Sequence, residues 1–247
     1  MELNKIYNED CLVGMKRIPD KSVDMILCDL PYGTTACSWD TIIPFEPLWE
    51  QYERVIKENG AIVLTSKEPF TSVLRTSNIK AFKQPLVWVK DNVDNPMQAK
   101  GRHLNIIEDV SVFYKKQCTY NPQGLIQFNK QISGGKVGKL IDRNQKEFKP
   151  YVQEYTNYPK NILEFKRDGN HVHPTQKPVA LFEYLIKTYT NKNETVLDNC
   201  MGSGTTAIAC MNTERNFIGF ELDKTYYEKS LERIKNHTTQ TELFDYI

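Results

Sequence analysis

The run Val23-Asp24-Met25-Ile26-Leu27-Cys28 is apolar at both alternating positions of an extended chain, apart from Asp24, and it stops at Asp29-Leu30-Pro31-Tyr32-Gly33. A strand that is greasy on both faces needs cover on both faces, which points to a sheet sandwiched between helices. A second segment, Thr195-Val196-Leu197-Asp198, runs in the same way into Gly202-Ser203-Gly204-Thr205-Thr206. Each reads as a strand that delivers a special loop to the carboxyl edge of a sheet, where ligands bind in such folds.

Further strand-like stretches are Lys5–Asn8, Ala61–Thr65, Pro85–Lys90, Asp109–Tyr114 and Phe217–Leu222. Between them lie apolar residues at helical spacing. Leu48, Tyr52, Val55 and Ile56 mark one helix, with Asn59-Gly60 as its expected stop. Val179, Phe182, Leu185, Ile186 and Tyr189 mark another, opened by Pro178, and Tyr227, Leu231 and Ile234 a third. Strands alternating with helices predict an α/β fold with a mostly parallel, doubly wound sheet. The 117–170 stretch breaks this rhythm, being rich in Gln, Asn, Gly and Lys, and reads as an insert.

No apolar run approaches the length of a membrane span, and Met1-Glu2-Leu3-Asn4-Lys5 lacks the pattern of a secretory signal. The six cysteines show no Cys-x-x-Cys spacing, so reduced thiols in a cytoplasm are expected. No metal site is expected: His171 and His173 have no nearby partners to complete one. The net charge of +1 conceals an asymmetry, because residues 115–170 hold eleven Lys and Arg against five Asp and Glu. Tyr120, Phe128, Phe148, Tyr151, Tyr155, Tyr158 and Phe165 are interleaved with those charges. Phosphates attract such charges and bases stack on such rings, so a nucleic-acid face is one reading; a solvated insert with its own aromatic core is the other.

The two loops suggest a chemistry. Gly202-x-Gly204 follows a strand and opens a helix, and Glu221 ends the next strand about twenty residues on. Glycines let a ligand approach backbone, and the carboxylate suits ribose hydroxyls. Asp29 and the Leu30 carbonyl offer two acceptors, Pro31 stiffens the turn and Tyr32 offers a ring. Two acceptors beside a stacking face suit an exocyclic amino group on a planar base. Inside a duplex that group is reached by flipping the base out.

With these residues the chain resembles the amino-group DNA methyltransferases that act on adenine N6 or cytosine N4. Asp29-Leu30-Pro31-Tyr32 is similar to the family's Asp-Pro-Pro-Tyr, with Leu30 in place of the first proline. Asp198-Asn199-Cys200-Met201-Gly202-Ser203-Gly204-Thr205-Thr206 resembles its cofactor loop, departing at Asn199 and Cys200. His173-Pro174-Thr175-Gln176-Lys177-Pro178 resembles the element before that loop, and Asn8-Glu9-Asp10-Cys11 the element whose Asp10 meets the cofactor's adenine. The catalytic loop precedes the cofactor loop, as in the permuted β-class of bacterial and phage enzymes.

The resemblance implies a Rossmann-like mixed sheet with S-adenosylmethionine as cofactor. Residues 1–116 and 171–237 would be two halves of one catalytic domain, 117–170 an inserted target-recognition region, and 238–247 a tail. It implies a catalytic set of Asp29, Leu30, Pro31 and Tyr32. The cofactor set would be Asp10, Cys11, Asp29, Thr175, Lys177, Asp198, Gly202, Ser203, Gly204, Thr205, Thr206, Glu221 and Leu222. Double-stranded DNA is the expected partner, contacted by Trp39, Lys130, Lys136, Lys139, Arg143, Lys146 and Lys149. Adenine N6 is the expected target and cytosine N4 the alternative, with an RNA methyltransferase or a silent DNA-binding module as rivals. Carbon-5 methylation fits poorly, because no cysteine follows proline. The 34–44 loop is a candidate lid. Homodimerisation is a further expectation. Gln240, Leu243 and Phe244 resemble the short motif that docks on bacterial sliding clamps, the plainer expectation being that they fold back onto the domain.

Overall fold

In a computed structural model of the chain, residues 1–35, 37, 40–136, 147–169 and 175–244 are described, with backbone alone for 136, 147, 148 and 240–244. In chain order the elements begin β1 (Lys5–Tyr7), α1 (Cys11–Met15), β2 (Val23–Asp29), α2 (Phe45–Val55), β3 (Ile56–Ser66), α3 (Phe70–Ser77), β4 (Phe82–Asp94) and β5 (Asn105–Phe113). Then follow β6 (Ile126–Ile132), β7 (Gly135–Lys136), β8 (Glu147–Phe148), β9 (Tyr151–Thr156) and β10 (Ile162–Glu164). The chain ends with α4 (Val179–Tyr189), β11 (Thr195–Asp198), α5 (Thr205–Asn212), β12 (Asn216–Phe220) and α6 (Lys224–Phe244).

Among the described residues, eight strands form one sheet in the order β1-β12-β11-β2-β3-β5-β4-β10. β5 runs antiparallel to both of its neighbours, and the other pairings are parallel. The chain leaves β11 toward β12 on one side and β2 toward β3 on the other. β11 and β2 are neighbours, with Val196 opposite Met25 and Leu197 opposite Ile26. Their carboxyl ends therefore flank the crevice where an open α/β sheet takes its ligand.

β2 explains why both faces are covered. Met25 and Leu27 pack with α4 residues such as Phe182 and Leu185, while Ile26 and Cys28 pack with α2 residues such as Leu48 and Tyr52. Each such aliphatic side chain contributes about 1.5–3 kcal/mol when fully buried. A polar substitution at Leu27, fully buried, would break this layer.

Two local expectations are corrected. Asn59-Gly60 does not stop a helix: α2 ends at Val55 and passes directly into β3, which contains both residues. Gly60 is needed there for close packing, since a Cβ would stand 2.8 Å from the Asp24 carbonyl oxygen. The last helix does not stop before the 238–247 stretch expected as a tail: α6 continues through His237-Thr238-Thr239 to Phe244. The Thr238 and Thr239 hydroxyls donate to the Ile234 and Lys235 carbonyls within the helix.

Pro122–Lys160 forms a second unit, with residues 1–121 and 161–247 making up the first. In it β6 pairs antiparallel with β9, and β7 with β8. Gly124 and Asn157 take positive φ, and the Asn157 amide donates to the Gly124 carbonyl at 2.7 Å.

Candidate active site

A cavity of about 1270 Å³ opens at the carboxyl edge of the sheet, walled by both special loops. Asp10, Cys11, Asp29, Leu30, Pro31, Tyr32, Thr175, Lys177, Asp198, Gly202, Ser203, Thr205, Thr206, Glu221 and Leu222 all line it. Gly204 does not. It takes a φ of 78° at the N-cap of α5, and a Cβ there would sit 3.3 Å from the Ser230 side chain, so it serves the turn and its packing on α6.

On one side of the cavity, backbone is tied to carboxylates. Glu221 accepts from the Gly202 N–H at 2.7 Å and the Asp223 N–H at 2.9 Å. Its burial raises its pKa above the ordinary value, against those donors. Gly202, with a φ of 52°, supplies the sharp turn. Asp198, almost wholly buried, accepts from the Cys200 N–H at 3.0 Å and from the Thr206 hydroxyl. Burial lifts its pKa to about 6. Asp10 caps α1 through the N–H groups of Leu12 and Val13. Arg233 of α6 braces the glycine loop, donating to the Ser203 carbonyl and to the Ser203 and Thr205 hydroxyls.

Asn199, one of the two departures from the family's loop, has a local reason. Its amide oxygen accepts from the buried Tyr52 hydroxyl at 2.5 Å, and its nitrogen lies against the Cys11 and Cys200 sulfurs. Tyr52 thereby gains the partner that a buried hydroxyl needs. Burial pushes the neighbouring Cys28 thiol up to about 12, which leaves it protonated rather than nucleophilic.

On the other side stands Asp29. Its Oδ1 accepts from the Tyr32 and Thr65 hydroxyls, each at 2.5 Å, and its Oδ2 from the Lys177 ammonium at 2.6 Å. The Tyr32 ring stacks on Phe70 with centroids 5.4 Å apart. Burial and the Asp29 charge raise the Tyr32 pKa well above its ordinary value, so it stays a hydroxyl donor. Behind the loop, Asp40 accepts from the N–H groups of Gly33, Thr34 and Thr35 at 2.7–2.8 Å. Burial alone would raise the Asp40 pKa, but these donors outweigh it and hold the carboxyl below its ordinary value.

A chain of alternating charge extends from Asp29. Lys177 also stands 3.2 Å from Glu108, Lys90 lies 3.3 Å from Glu108 and 2.6 Å from Asp94, and Lys67 lies 2.6 Å from Asp94. Burial alone would depress the Lys177 pKa; Asp29 and Glu108 outweigh it and raise it above the ordinary value.

Sequence reasoning missed Asp40, Thr65, Lys67, Lys90, Asp94, Glu108 and Arg233. Charged residues inside otherwise apolar strands, such as Lys90 and Glu108, were the available signal. Trp39, Lys139, Arg143 and Lys146 lie outside the described residues, as do His171, His173 and part of the 34–44 loop. Lys136 is described by its backbone alone, while Lys130 and Lys149 are exposed. In the second unit Phe128, Tyr151, Tyr155 and Tyr158 are exposed rather than gathered into a core.

Residues 23–232 match the N6/N4 methyltransferase family, described as DNA methylase. The chain is 29% identical to the DNA adenine methyltransferase YhdJ of Escherichia coli (strain K12), over 98% of this chain and 87% of that protein. It is 39% identical to the putative methylase YubD of the same organism, over 94% of this chain and 90% of that one. Among solved structures, the M1.HpyAVI–SAM complex superposes with a TM-score of 0.63 at 28% identity, covering 93% of this chain and 98% of that one. The PvuII cytosine-N4-specific enzyme shares the fold, with a TM-score of 0.64 at 15% identity. A glycine turn and a hydroxyl-bound aspartate that share one cavity, in a chain matched over most of its length, identify a member of the N6/N4 DNA methylase family, a DNA methyltransferase that uses S-adenosylmethionine.

Proposed function

We propose that this protein methylates the N6 amino group of adenine in double-stranded DNA. The observation that carries the reading is the shared cavity: Asp29 and the Gly202–Thr206 loop open into the same space, as transfer between two bound groups requires. Adenine is favoured over cytosine by the similarity to YhdJ, whose name specifies adenine.

The residues fit the cofactor. The Gly202 turn leaves backbone open to close approach, and Asp10, Asp198 and Glu221 surround that part of the cavity with acidic groups suited to a cationic nucleoside. When bound, S-adenosylmethionine supplies an electrophilic methyl group on a sulfonium. Asp29 Oδ1 and the Leu30 carbonyl would accept the two N–H bonds of the target amine, turning its lone pair out of the ring. Stabilising the charge that develops on nitrogen is the main electrostatic contribution of Asp29. On taking up the methyl group the nitrogen would shed one proton, toward the Asp29 carboxylate and solvent. Tyr32, released from Asp29, would stack on the flipped base.

The test is incubation of unmethylated duplex DNA with enzyme and S-adenosylmethionine, followed by nucleoside digestion and mass analysis. N6-methyladenine is the expected product; N4-methylcytosine alone would overturn the assignment.

A further inference from the structure

The two oxygens of Asp29 are held by different kinds of donor. Among the described residues, Oδ1 meets neutral hydroxyls alone, those of Tyr32 and Thr65. Oδ2 meets a full positive charge, the Lys177 ammonium, whose side chain is only 4% exposed. A neutral hydroxyl is readily exchanged for an amine N–H, whereas a buried ion pair is costly to break. Lys177 is itself held. It sits between Asp29 and Glu108, and Glu108 lies between Lys177 and Lys90, which in turn pairs with Asp94. Glu108 Oε2 is buried and accepts no hydrogen bond among the described residues, so its nearness to the Lys177 ammonium is electrostatic. The resemblance would have placed Lys177 at the cofactor, yet its ammonium points to the reactive carboxylate. Only its backbone carbonyl meets the glycine loop, accepting from the Thr205 hydroxyl at 3.3 Å.

We propose that Lys177 is a positioning residue for methyl transfer: its ammonium fixes the Asp29 carboxylate through Oδ2 and leaves Oδ1 to meet the target amine, with Glu108 and Lys90 fixing the ammonium in turn. The Tyr32 hydroxyl then occupies the place of the target N–H until a base arrives, and its displacement frees the ring to stack. This inference rests on Asp29 being the residue that meets the amine.

Among the described residues, the titratable groups facing Asp29 are Lys177, Tyr32, Cys28 and Asp198, with Glu108 beyond Lys177. Lys177 is the cation among them, so its loss should leave the carboxylate without the charge that fixes Oδ2. In Lys177→Gln, single-turnover methylation of unmethylated duplex DNA at saturating S-adenosylmethionine is expected to fall about tenfold or more at pH 7. Cofactor affinity by calorimetry should be unchanged, so that the loss falls on the rate of transfer alone. Lys177→Arg keeps the charge with a different reach. It should restore part of the single-turnover rate lost in Lys177→Gln, with cofactor affinity again unchanged. A loss of cofactor affinity alone in either variant, or a lower Tm with the single-turnover rate unchanged, would overturn the proposal. Asp29→Ala separates the two readings. If it is inactive while Lys177→Gln is normal, only this inference fails; if it turns over normally, the assignment of Asp29 fails first.

Discussion

Asp198 and Tyr32 are the residues whose present partners say most about what a ligand must change. Asp198 holds its proton up to about pH 6 in the folded chain, against 3.8 for an unperturbed aspartate. The folded state therefore binds more protons than the unfolded state between those values. The stability this group contributes is present below about pH 4 and is lost as pH rises through 6, a difference of roughly 3 kcal/mol. A cationic ligand beside Asp198 needs the ionised form, so S-adenosylmethionine affinity should strengthen between pH 5 and pH 7, with proton release on binding. Calorimetry in buffers of different ionisation enthalpy measures both effects, and Asp198→Asn should flatten them. Tyr32 makes a contrasting pair of substitutions. Tyr32→Phe keeps the ring while freeing Asp29 Oδ1 from its hydroxyl, and should retain turnover. Tyr32→Ala should lose about 1–3 kcal/mol of base stacking, read as weaker binding of DNA that carries an unpaired target base. Equal losses in the two variants would count against the stacking role.

The loop that carries Tyr32 is organised from a distance of seven residues by Asp40, whose carboxylate collects three consecutive N–H groups. Asp40→Ala leaves these donors without their acceptor and should cost about 1–3 kcal/mol. Hydrogen exchange at the Gly33, Thr34 and Thr35 amides should accelerate, and unchanged exchange would show that the turn holds itself. Because the Asp40 pKa is lowered, its stabilisation is present above the ordinary aspartate value and is lost only as pH falls below it. Elements of this kind mark the limit of what could be read in advance. The strand–loop units at Asp29 and Asp198 were legible because each is contiguous: a doubly buried strand, then residues with special backbone or side-chain chemistry. The Asn59-Gly60 signal misled because β3 begins directly after α2, and Gly60 answers a close approach to Asp24 that depends on strand pairing. Lys67 just after β3, Lys90 in β4 and Glu108 in β5 join one chain of charge only once β5 lies between β3 and β4. No local pattern encodes that order.

At the scale of the whole molecule, the residues that line the cavity belong to one unit, residues 1–121 and 161–247. That second unit carries a different kind of surface. Its β6–β9 pair exposes Phe128, Tyr151 and Tyr155, with Tyr158 exposed just beyond, and Lys130 stands 5.9 Å from the Phe128 ring centroid. Rings left in water cost hydrophobic free energy that a small core would recover, so their exposure fits a surface that gains a partner. Cations beside flat rings suit a nucleic acid, whose phosphates and bases need both. If this unit grips DNA, Lys130→Ala and Lys149→Ala should each weaken binding of duplexes of any sequence. Each should also reduce the slope of log affinity against log salt by about one. Phe128→Ala should weaken binding with the slope unchanged, since it removes apolar contact and no charge. Fluorescence titrations of labelled duplex from about 50 to 200 mM salt, a range over which multiple phosphate contacts lose several powers of ten in affinity, resolve these changes. S-adenosylmethionine affinity should be the same in all three variants, because none of these side chains lines the cavity. A double lysine variant with wild-type slope would move the DNA-binding charge elsewhere on the chain.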